Sequence, residues 1–391
     1  MKFRHKVVRR CLAIFIKPLA RIMYGIKIEK FMEEQRRPYL ILYNHQTAFD
    51  QFFVAMSFSG PIYFIATEDL FSKGWISSVI RYLAAPIPIK KQTTDLHAVK
   101  TCMKVAKEGG TIALAPEGNR TFDGKTVYIK PSIVKLAKAL RLPIAIYRIE
   151  GGYGVQPRWS DVRRKGRMKA YVSCVLEPEE YKSWSNDELY RYICKQLYQN
   201  EANAQECYHH KNTAEYIERV LYVCPHCGIT HFESNGNTIK CVRCGASAKY
   251  LPNKEFSGDF PFRYMLDWYE YQEDYINQLN TAELTQAPLI KDTCSLYSVE
   301  LYKGKRCLGE HVELALYGDR IEVSGDFRET FPFADVETIT ILGKNKLDIY
   351  YHDMVYQIQS DKRFNALKYL NLYHRYKNLT TEVQDGSFLG L

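Results

Sequence analysis

Short apolar runs alternate with segments of helical spacing between residues 38 and 176 of this 391-residue chain. In the segments 94–108 and 132–140, apolar residues recur three and four positions apart, which is the spacing of an amphipathic helix. Strands that alternate with helices form a mostly parallel sheet covered by helices on both faces. We therefore predict an α/β sandwich, with strands at 39–43, 62–66, 86–89, 111–115, 143–149 and 171–176.

Two polar motifs follow strands of this predicted sheet. The first is Asn-His-Gln-Thr-Ala-Phe-Asp at 44–50, and the second is Ala-Pro-Glu-Gly-Asn-Arg-Thr at 115–121. An imidazole beside a carboxylate removes a proton from a hydroxyl near neutral pH, because the carboxylate stabilises the imidazolium. Four residues separate His45 from Asp50, so the pair meets only across a turn between a strand and a helix. The guanidinium of Arg120 is a planar fork of donors that suits a phosphate group.

Together these motifs resemble the glycerolipid acyltransferases, the family that includes the bacterial 1-acylglycerol-3-phosphate acyltransferases. The resemblance rests on Asn-His-x4-Asp followed about seventy positions later by Pro-Glu-Gly-x-Arg. It implies that His45 is the general base for the acceptor hydroxyl and that Asp50 orients it. It further implies that the acceptor's hydroxyl and phosphate are held at this site. The substrate-binding residues predicted in this way are Asn44, Lys90, Lys91, Glu117, Gly118 and Arg120.

The chain departs from the family pattern at two places. Where the family has a phosphate-binding Arg at the end of a strand, this chain has Lys90 and Lys91, which keep the charge and lose the planar fork. Asn119 stands where the third family block usually has Thr. Each motif alone would suit an ordinary turn, but the two in this order after predicted strands favour the functional interpretation.

The resemblance implies direct transfer of an acyl group to the free hydroxyl of 1-acylglycerol-3-phosphate, which makes phosphatidate in phospholipid biosynthesis. Acyl-CoA and acyl-carrier protein both stay open as the co-substrate. Another lysophospholipid or a glycolipid stays open as the acceptor. A non-catalytic membrane adaptor that binds lipid is the alternative from a different class, and the retention of both motifs counts against it.

Residues 1–30 contain nine Lys or Arg residues and one Glu, which is a net charge of +8. On a helix, one stripe of this segment is apolar and the opposite stripe carries Lys6, Arg10, Lys17 and Arg21. The longest uncharged stretch, 11–16, falls short of the ~20 apolar residues of a spanning helix. We predict an interfacial helix on an anionic membrane surface, with the protein peripheral or monotopic on the cytoplasmic face of the cell membrane. The alternative is a helix that docks on its own domain with a solvated basic face.

Four of the eleven cysteines form one pattern, and the other seven are scattered, which indicates a reducing compartment. The pattern is a pair of Cys-x-x-Cys-Gly knuckles with thirteen residues between the inner cysteines. Four thiolates at this spacing close a tetrahedral zinc site, which is structural because no coordination position stays open. Two pairs disfavour a redox role, and the few basic residues nearby disfavour a nucleic-acid partner. The predicted ligands of a structural Zn²⁺ are Cys224, Cys227, Cys241 and Cys244.

The rest of the sequence adds helical and β-rich segments. Ser185 and Glu188 form a capping box, which predicts a helix through Tyr198. Residues 263–279 are aromatic with helical spacing and are expected to pack the ribbon against its neighbour. From 295 the apolar period becomes two, at 296–301, 312–316, 320–323, 336–341, 346–351 and 354–358, before a helix at 361–377. This pattern resembles a pleckstrin-homology-like domain, with bracing of the enzyme and docking of lipid or protein both open as its role.

The predicted fold class is therefore α/β, with a glycerolipid acyltransferase-type sandwich followed by a zinc ribbon and a β-rich domain. Each segment follows from a change in charge, period or cysteine content along the chain. The segments are a basic membrane-interface helix at 1–30, an acyltransferase domain at 31–200, a linker at 201–220, a zinc ribbon at 221–252, an aromatic helical connector at 253–289, and a β-rich domain with a C-terminal helix at 290–380.

Overall fold

The computed structural model describes residues 14, 16–33, 38–67, 75–89, 96–203, 206–300 and 304–380. The chain divides into two compact units. The first unit runs to Pro157 and resumes for Arg163–Tyr208, and the second contains Arg158–Val162 and the chain from His209 onward.

The described part of the first unit contains one seven-stranded sheet. Its strands are β1 (Ile26–Ile28), β2 (Leu40–Tyr43), β3 (Ile62–Thr67), β4 (Ile87–Ile89), β5 (Thr111–Leu114), β6 (Ile144–Glu150) and β7 (Met168–Leu176). They lie in the order β1-β7-β6-β2-β5-β3-β4. Neighbouring strands run parallel, apart from the antiparallel pair β6 and β7. The central strand β2 pairs through Leu40 with Ile112 of β5 and with Ile144 of β6.

Helices cover both faces of this sheet. They are α1 (16–24), α2 (Asp50–Ser57), α3 (Trp75–Ala84), α4 (Leu96–Lys107), α5 (Ser132–Leu140), α6 (Gly152–Val155), α7 (Pro178–Tyr181) and α8 (Asn186–Leu197). Successive side chains of a strand point to opposite faces, so Leu40 packs in one apolar core and Ile41 in the other. Residues of α4, α5 and α8 complete the first core, and residues of α1 and α2 complete the second. The predicted α/β sandwich is confirmed.

The predicted capping box of α8 is also confirmed. The Ser185 hydroxyl accepts a hydrogen bond from the Glu188 backbone N–H at 3.2 Å, and the Glu188 carboxylate accepts one from the Ser185 N–H at 2.7 Å. The two bonds satisfy N–H groups that have no partner within a helix end. The helix therefore begins where the sequence predicts it.

The prediction of a helix over residues 1–30 is wrong at its C-terminal end. The helix α1 stops at Gly25, which adopts a left-handed conformation with φ +60°. A Cβ at this position would lie 2.9 Å from the backbone oxygen of Gly166, so glycine suits both the turn and the close approach. Ile26–Ile28 then form β1, parallel to β7. Lys6 and Arg10 lie outside the described residues, whereas Lys17 and Arg21 are exposed on α1.

The segment 201–220 is predicted as a polar linker, but many of its described residues are buried. Glu201 and Tyr208 are buried in the first unit, and Ala214 and Ile217 are buried in the second. Its polar composition is misleading because several of its polar side chains are enclosed and hydrogen-bonded. The boundary between the two units falls after Tyr208.

The second unit begins with a small antiparallel ribbon. Its strands are β8 (Val223–Cys224), β9 (Gly228–Ile229), β10 (Phe232–Asn235), β11 (Thr238–Cys241), β12 (Ser247–Tyr250) and β13 (Phe256–Gly258). The aromatic helix α9 (Met265–Gln278) packs against it through Trp268, which is fully buried. The Trp268 ring lies 5.5 Å from Phe232 and 4.5 Å from Phe260, centroid to centroid. The predicted packing of the aromatic helix on the ribbon is confirmed.

A seven-stranded antiparallel sheet and a helix complete the second unit. They are β14 (Ile290–Glu300), β15 (Gly304–Leu316), β16 (Arg320–Ser324), β17 (Glu329–Pro332), β18 (Thr338–Leu342), β19 (Lys346–Tyr351), β20 (Met354–Gln359) and α10 (Leu367–Thr380). The sheet order is β17-β16-β15-β14-β20-β19-β18. The sequence pattern does not predict β17, and it predicts that α10 starts at 361. The helix starts later because the Asn365 side chain accepts a hydrogen bond from the Lys368 N–H at 3.1 Å and caps it there.

Within the described residues, every helix is too short or too polar to cross a lipid bilayer.

Candidate functional site

The first motif forms a turn at the carboxyl end of β2, the central strand of the first unit. His45 and Asp50 meet across this turn, with 2.8 Å between His45 Nδ1 and Asp50 Oδ2. Asp50 is the first residue of α2 and is fully buried, whereas the His45 side chain is 25% exposed. Because the carboxylate accepts the hydrogen bond, Nδ1 carries the proton and Nε2 is the nitrogen that can accept one.

Asp50 is held by the backbone of the turn that it orients. Its carboxylate accepts hydrogen bonds from the N–H groups of Gln46 at 2.7 Å and Thr47 at 2.9 Å. It also accepts a bond from the Thr47 hydroxyl at 2.7 Å. Several donors therefore fix both carboxylate oxygens, which sets the position of the His45 ring.

Asn44 holds the turn to the neighbouring strand β6. Its amide exchanges two hydrogen bonds of 2.8 Å with the backbone of Ile149 on β6. It also donates to the Gln199 side-chain oxygen at 2.9 Å. Asn44 is 1% exposed, so within the described residues its contacts are with the protein interior. The structure assigns it an anchoring contact, and its predicted contact with substrate stays a prediction.

Gln199 and Glu201 also belong to this anchor, although neither is part of a predicted site. The Gln199 amide donates to the Glu201 carboxylate, which also accepts the N–H of Tyr153 at 2.9 Å and of Gly151 at 2.5 Å. Both side chains are at most 7% exposed. No local pattern marks them, because Asn44 and Gln199 are 155 positions apart in sequence.

Glu117 joins the second motif to the first. One carboxylate oxygen accepts the backbone N–H of His45 at 2.8 Å, and the other accepts that of Val127 at 2.9 Å. Burial raises the pKa of Glu117 to about 8, although these two N–H groups act in the opposite direction. Gly118 follows with φ +69° and is exposed, as its place in a turn requires.

Arg120 brings a positive charge to the same site. Burial lowers the pKa of its guanidinium, and attraction to Asp50 and to the oxygen of Tyr24 opposes that effect. The structure thus brings together His45, Asp50, Asn44, Glu117 and Arg120 around the ends of β2 and β5. Lys90 and Lys91 lie outside the described residues, so their predicted role stays a prediction.

The four predicted zinc ligands meet in the second unit. Their sulfur atoms all lie within 4.8 Å of one another, with 3.8 Å between Cys224 and Cys244 and 4.0 Å between Cys227 and Cys241. A tetrahedron with Zn–S bonds of about 2.3 Å has edges of about 3.8 Å, so the cluster fits one zinc ion. Backbone N–H groups of His226 and Ala246 point at sulfur atoms of Cys224 and Cys244, as in zinc knuckles.

Residues 26–149 are similar to a known protein family. This segment matches the family model described as Acyltransferase. The chain is 25% identical over 120 residues to 1-acyl-sn-glycerol-3-phosphate acyltransferase of Bacillus subtilis (strain 168), which covers 31% of this chain and 57% of that protein. It is 24% identical over 179 residues to the chloroplastic 1-acyl-sn-glycerol-3-phosphate acyltransferase LPAT1 of Arabidopsis thaliana, covering 44% and 48%. The chain thus spans about half the length of the curated relatives it matches.

Among solved structures, the chain is similar to the 1-acyl-sn-glycerophosphate (LPA) acyltransferase PlsC from Thermotoga maritima. The superposition covers 49% of this chain and 78% of that one, with 22% sequence identity and a TM-score of 0.42.

Proposed function

We propose that residues 26–149, which match the family model described as Acyltransferase, form an acyltransferase domain, and that the protein acylates the free hydroxyl of 1-acylglycerol-3-phosphate to make phosphatidate. The observation that carries the proposal is the bond between His45 Nδ1 and the buried Asp50, which leaves Nε2 as the proton acceptor. The printed activity of the curated relatives supports the choice of acceptor.

The reaction is a direct transfer from a thioester. As the acceptor hydroxyl attacks the thioester carbonyl, His45 Nε2 takes its proton, and Asp50 stabilises the imidazolium that forms. The tetrahedral intermediate collapses with cleavage of the C–S bond, and the leaving thiolate takes the proton back from His45. The products are the new ester and a free thiol, so no covalent enzyme intermediate is required. Acyl-CoA and acyl-carrier protein both satisfy this chemistry.

Within this site, Arg120 is the predicted partner of the acceptor phosphate. Its guanidinium is attracted to Asp50, so its charge acts on the same small volume as the base. The free hydroxyl and the phosphate of the acceptor are on neighbouring carbons, which requires the base and the phosphate site to be close. Both Glu117 oxygens already bind backbone N–H groups, which supports a role for Glu117 in holding the His45 turn.

We assign a structural Zn²⁺ to Cys224, Cys227, Cys241 and Cys244. The spacing of the four sulfur atoms and the N–H groups that point at them support this assignment. When bound, the ion cross-links the two knuckles of the ribbon. The catalytic step proposed above does not involve it.

We also propose that α1 binds an anionic membrane surface on the cytoplasmic side. Its cationic residues Lys17 and Arg21 are exposed. Apolar side chains are exposed on the same helix, with Leu19 at 47% and Ile22 at 84%. A helix that exposes both apolar and basic side chains tends to lie at the boundary between lipid headgroups and acyl chains. The substrate of the proposed reaction lies in that boundary.

The proposed activity is tested with purified full-length protein, a labelled acyl donor and a panel of lysolipids. We expect product with lysophosphatidate, no product with His45→Ala, and unchanged turnover with the control His97→Ala on the exposed part of α4. Parallel reactions with acyl-CoA and acyl-carrier protein identify the donor. An active His45→Ala protein, or product only with phosphate-free acceptors, would contradict the proposal.

The membrane proposal is tested by flotation with liposomes of neutral or anionic lipid. We expect binding to anionic liposomes that weakens with salt, and weaker binding for the double variant Lys17→Glu and Arg21→Glu. The exposed pair Lys104→Glu and Lys107→Glu on α4 is the matched control for net charge. Equal loss of binding in both double variants would show that overall charge, and not α1, governs the association.

A further inference from the structure

Tyr24, the last residue of α1, connects an arginine outside both motifs to the site. Tyr24 is 2% exposed, and its hydroxyl donates a hydrogen bond to the Gln156 side-chain oxygen at 2.9 Å. The Arg163 guanidinium donates a hydrogen bond to the same hydroxyl and lies 5.6 Å from the centre of the Tyr24 ring. The tyrosine therefore fixes the end of the Arg163 side chain by two kinds of contact.

The other side of Tyr24 faces the catalytic turn. Its ring lies 5.4 Å from the ring of Phe49 and 5.5 Å from that of Phe53, the residues on either side of the first turn of α2. Its oxygen interacts electrostatically with Arg120 and Asp50. Tyr24 is thus the connection between Arg163 and the groups around His45.

Arg163 is positioned without a neutralising partner. It lies on the connection between α6 and β7, where the Arg164 N–H bonds to the Val155 oxygen at 2.8 Å and closes the loop. Arg163 is exposed, and in the described part of the chain no carboxylate forms an ion pair with it. On the adjacent strands, Arg148 pairs with Glu150 and Lys169 pairs with Glu29. The Arg163 guanidinium is therefore held in place by the neutral ring of Tyr24, and its positive charge can interact with an anion.

We propose that Arg163, whose side chain Tyr24 holds in place, binds the phosphate monoester of the acceptor lipid together with Arg120. This inference rests on the proposed function and adds a specificity-determining residue to it. A phosphate monoester carries a charge close to −2 at neutral pH, which one guanidinium neutralises only in part.

A phosphate of the acyl donor is the other possible source of the anion. In CoA the 3′-phosphate lies at the far end of the pantetheine arm from the thioester, whereas the acceptor phosphate is one carbon away from the reacting hydroxyl. The contacts of Tyr24 with Phe49 and Phe53 place this cluster beside the base. The acceptor phosphate is therefore the ligand that the geometry favours.

The test compares Arg163→Ala and Arg163→Lys with the wild type in the full-length protein. Arg167→Ala is the matched control, since Arg167 is an exposed arginine on the same connection. For Arg163→Ala we expect a KM for lysophosphatidate raised about ten- to hundredfold, with kcat within about threefold, because one charge-assisted bond is lost. Arg163→Lys is expected to recover part of the affinity, and Arg167→Ala to match the wild type.

Three further measurements make the result decisive. With monoacylglycerol as acceptor, Arg163→Ala should equal the wild type; an equal loss there would overturn the proposal in favour of a purely structural role. A loss that appears with acyl-CoA and disappears with acyl-dephospho-CoA would overturn it in favour of the donor phosphate. Binding of short-chain lysophosphatidate, measured by calorimetry, needs no turnover. An inactive wild type would therefore refute the proposed function. This inference would still be tested by comparing the affinities of Arg163→Ala and the wild type for lysophosphatidate.

Discussion

Glu117 makes the stability of the first unit depend on pH in an unusual direction. Burial raises the pKa of this carboxyl from 4.5 to about 8 in the folded protein. Between these two values the folded state binds a proton that the unfolded state has lost. The free energy of unfolding therefore falls as pH rises, so the contribution of Glu117 is fully present below about pH 4.5 and is lost by about pH 8.

The expected magnitude follows from the proton that is taken up on folding. Inside the window the free energy of unfolding changes by ~1.4 kcal/mol per pH unit, or about 3 kcal/mol between about pH 5.5 and 7.5. Glu117→Gln resembles the protonated form in shape and does not titrate. We expect the free energy of unfolding of the wild type, measured with denaturant, to fall by this amount relative to that of Glu117→Gln across the same pH range.

A matched control separates burial from the mere presence of a carboxyl group. Glu150 lies on β6 of the same unit with a side chain 40% exposed. Glu150→Gln removes a carboxyl group from an exposed position, and its unfolding curve is expected to track that of the wild type across the pH range. If the curves of the wild type and Glu117→Gln run parallel over the whole range, Glu117 ionises at its ordinary pKa and the reasoning is refuted.

Three other changes test the remaining structural claims. Asp50→Asn should lower kcat by about 10²–10⁴-fold with little change in KM for the donor, measured by steady-state kinetics, because the imidazolium loses its stabilising charge. Cys241→Ser should abolish the expected one zinc per chain in elemental analysis, whereas replacement of the exposed Cys207 should not. Asp292→Asn should cost about 3–5 kcal/mol in denaturant unfolding, because it leaves the Lys368 ammonium, 2% exposed, without its partner. Although burial raises the pKa of Asp292, hydrogen bonds from His231 and Lys368 bring it to about 2, so its contribution holds above about pH 4 and is lost as pH falls towards 2.

Local patterns predicted the strands β2 to β7 and the helices α4, α5 and α8 of the first unit, because each of these patterns has a local physical cause. The run that becomes β2 is apolar throughout, since its residues enter two different cores on the two faces of the sheet. The start of α8 is encoded by two side chains three positions apart, Ser185 and Glu188, which satisfy each other's backbone N–H groups. Features of this kind are complete within a few residues, so sequence alone predicts them.

Features that depend on distant partners were not predictable. Gly25 ends α1 because a left-handed turn and the backbone of Gly166 meet there, and no pattern near Gly25 indicates that approach. Gln199 and Glu201 occur in a polar stretch that favours the interpretation of a linker. They are buried because Asn44 and the backbone of Gly151 supply their hydrogen bonds from other parts of the chain. A polar composition cannot distinguish an exposed segment from one with satisfied buried groups.

Most of the motif side chains hold the turn that carries the base His45. Asn44, Asp50 and Glu117 all direct their side chains to backbone groups, and each is bonded to a different segment around the turn. The ring of His45, which is 25% exposed, is therefore oriented by buried neighbours. We therefore expect selection of the acceptor to depend on Arg120 of the second motif and on Arg163, which lies outside the motifs and contacts Tyr24.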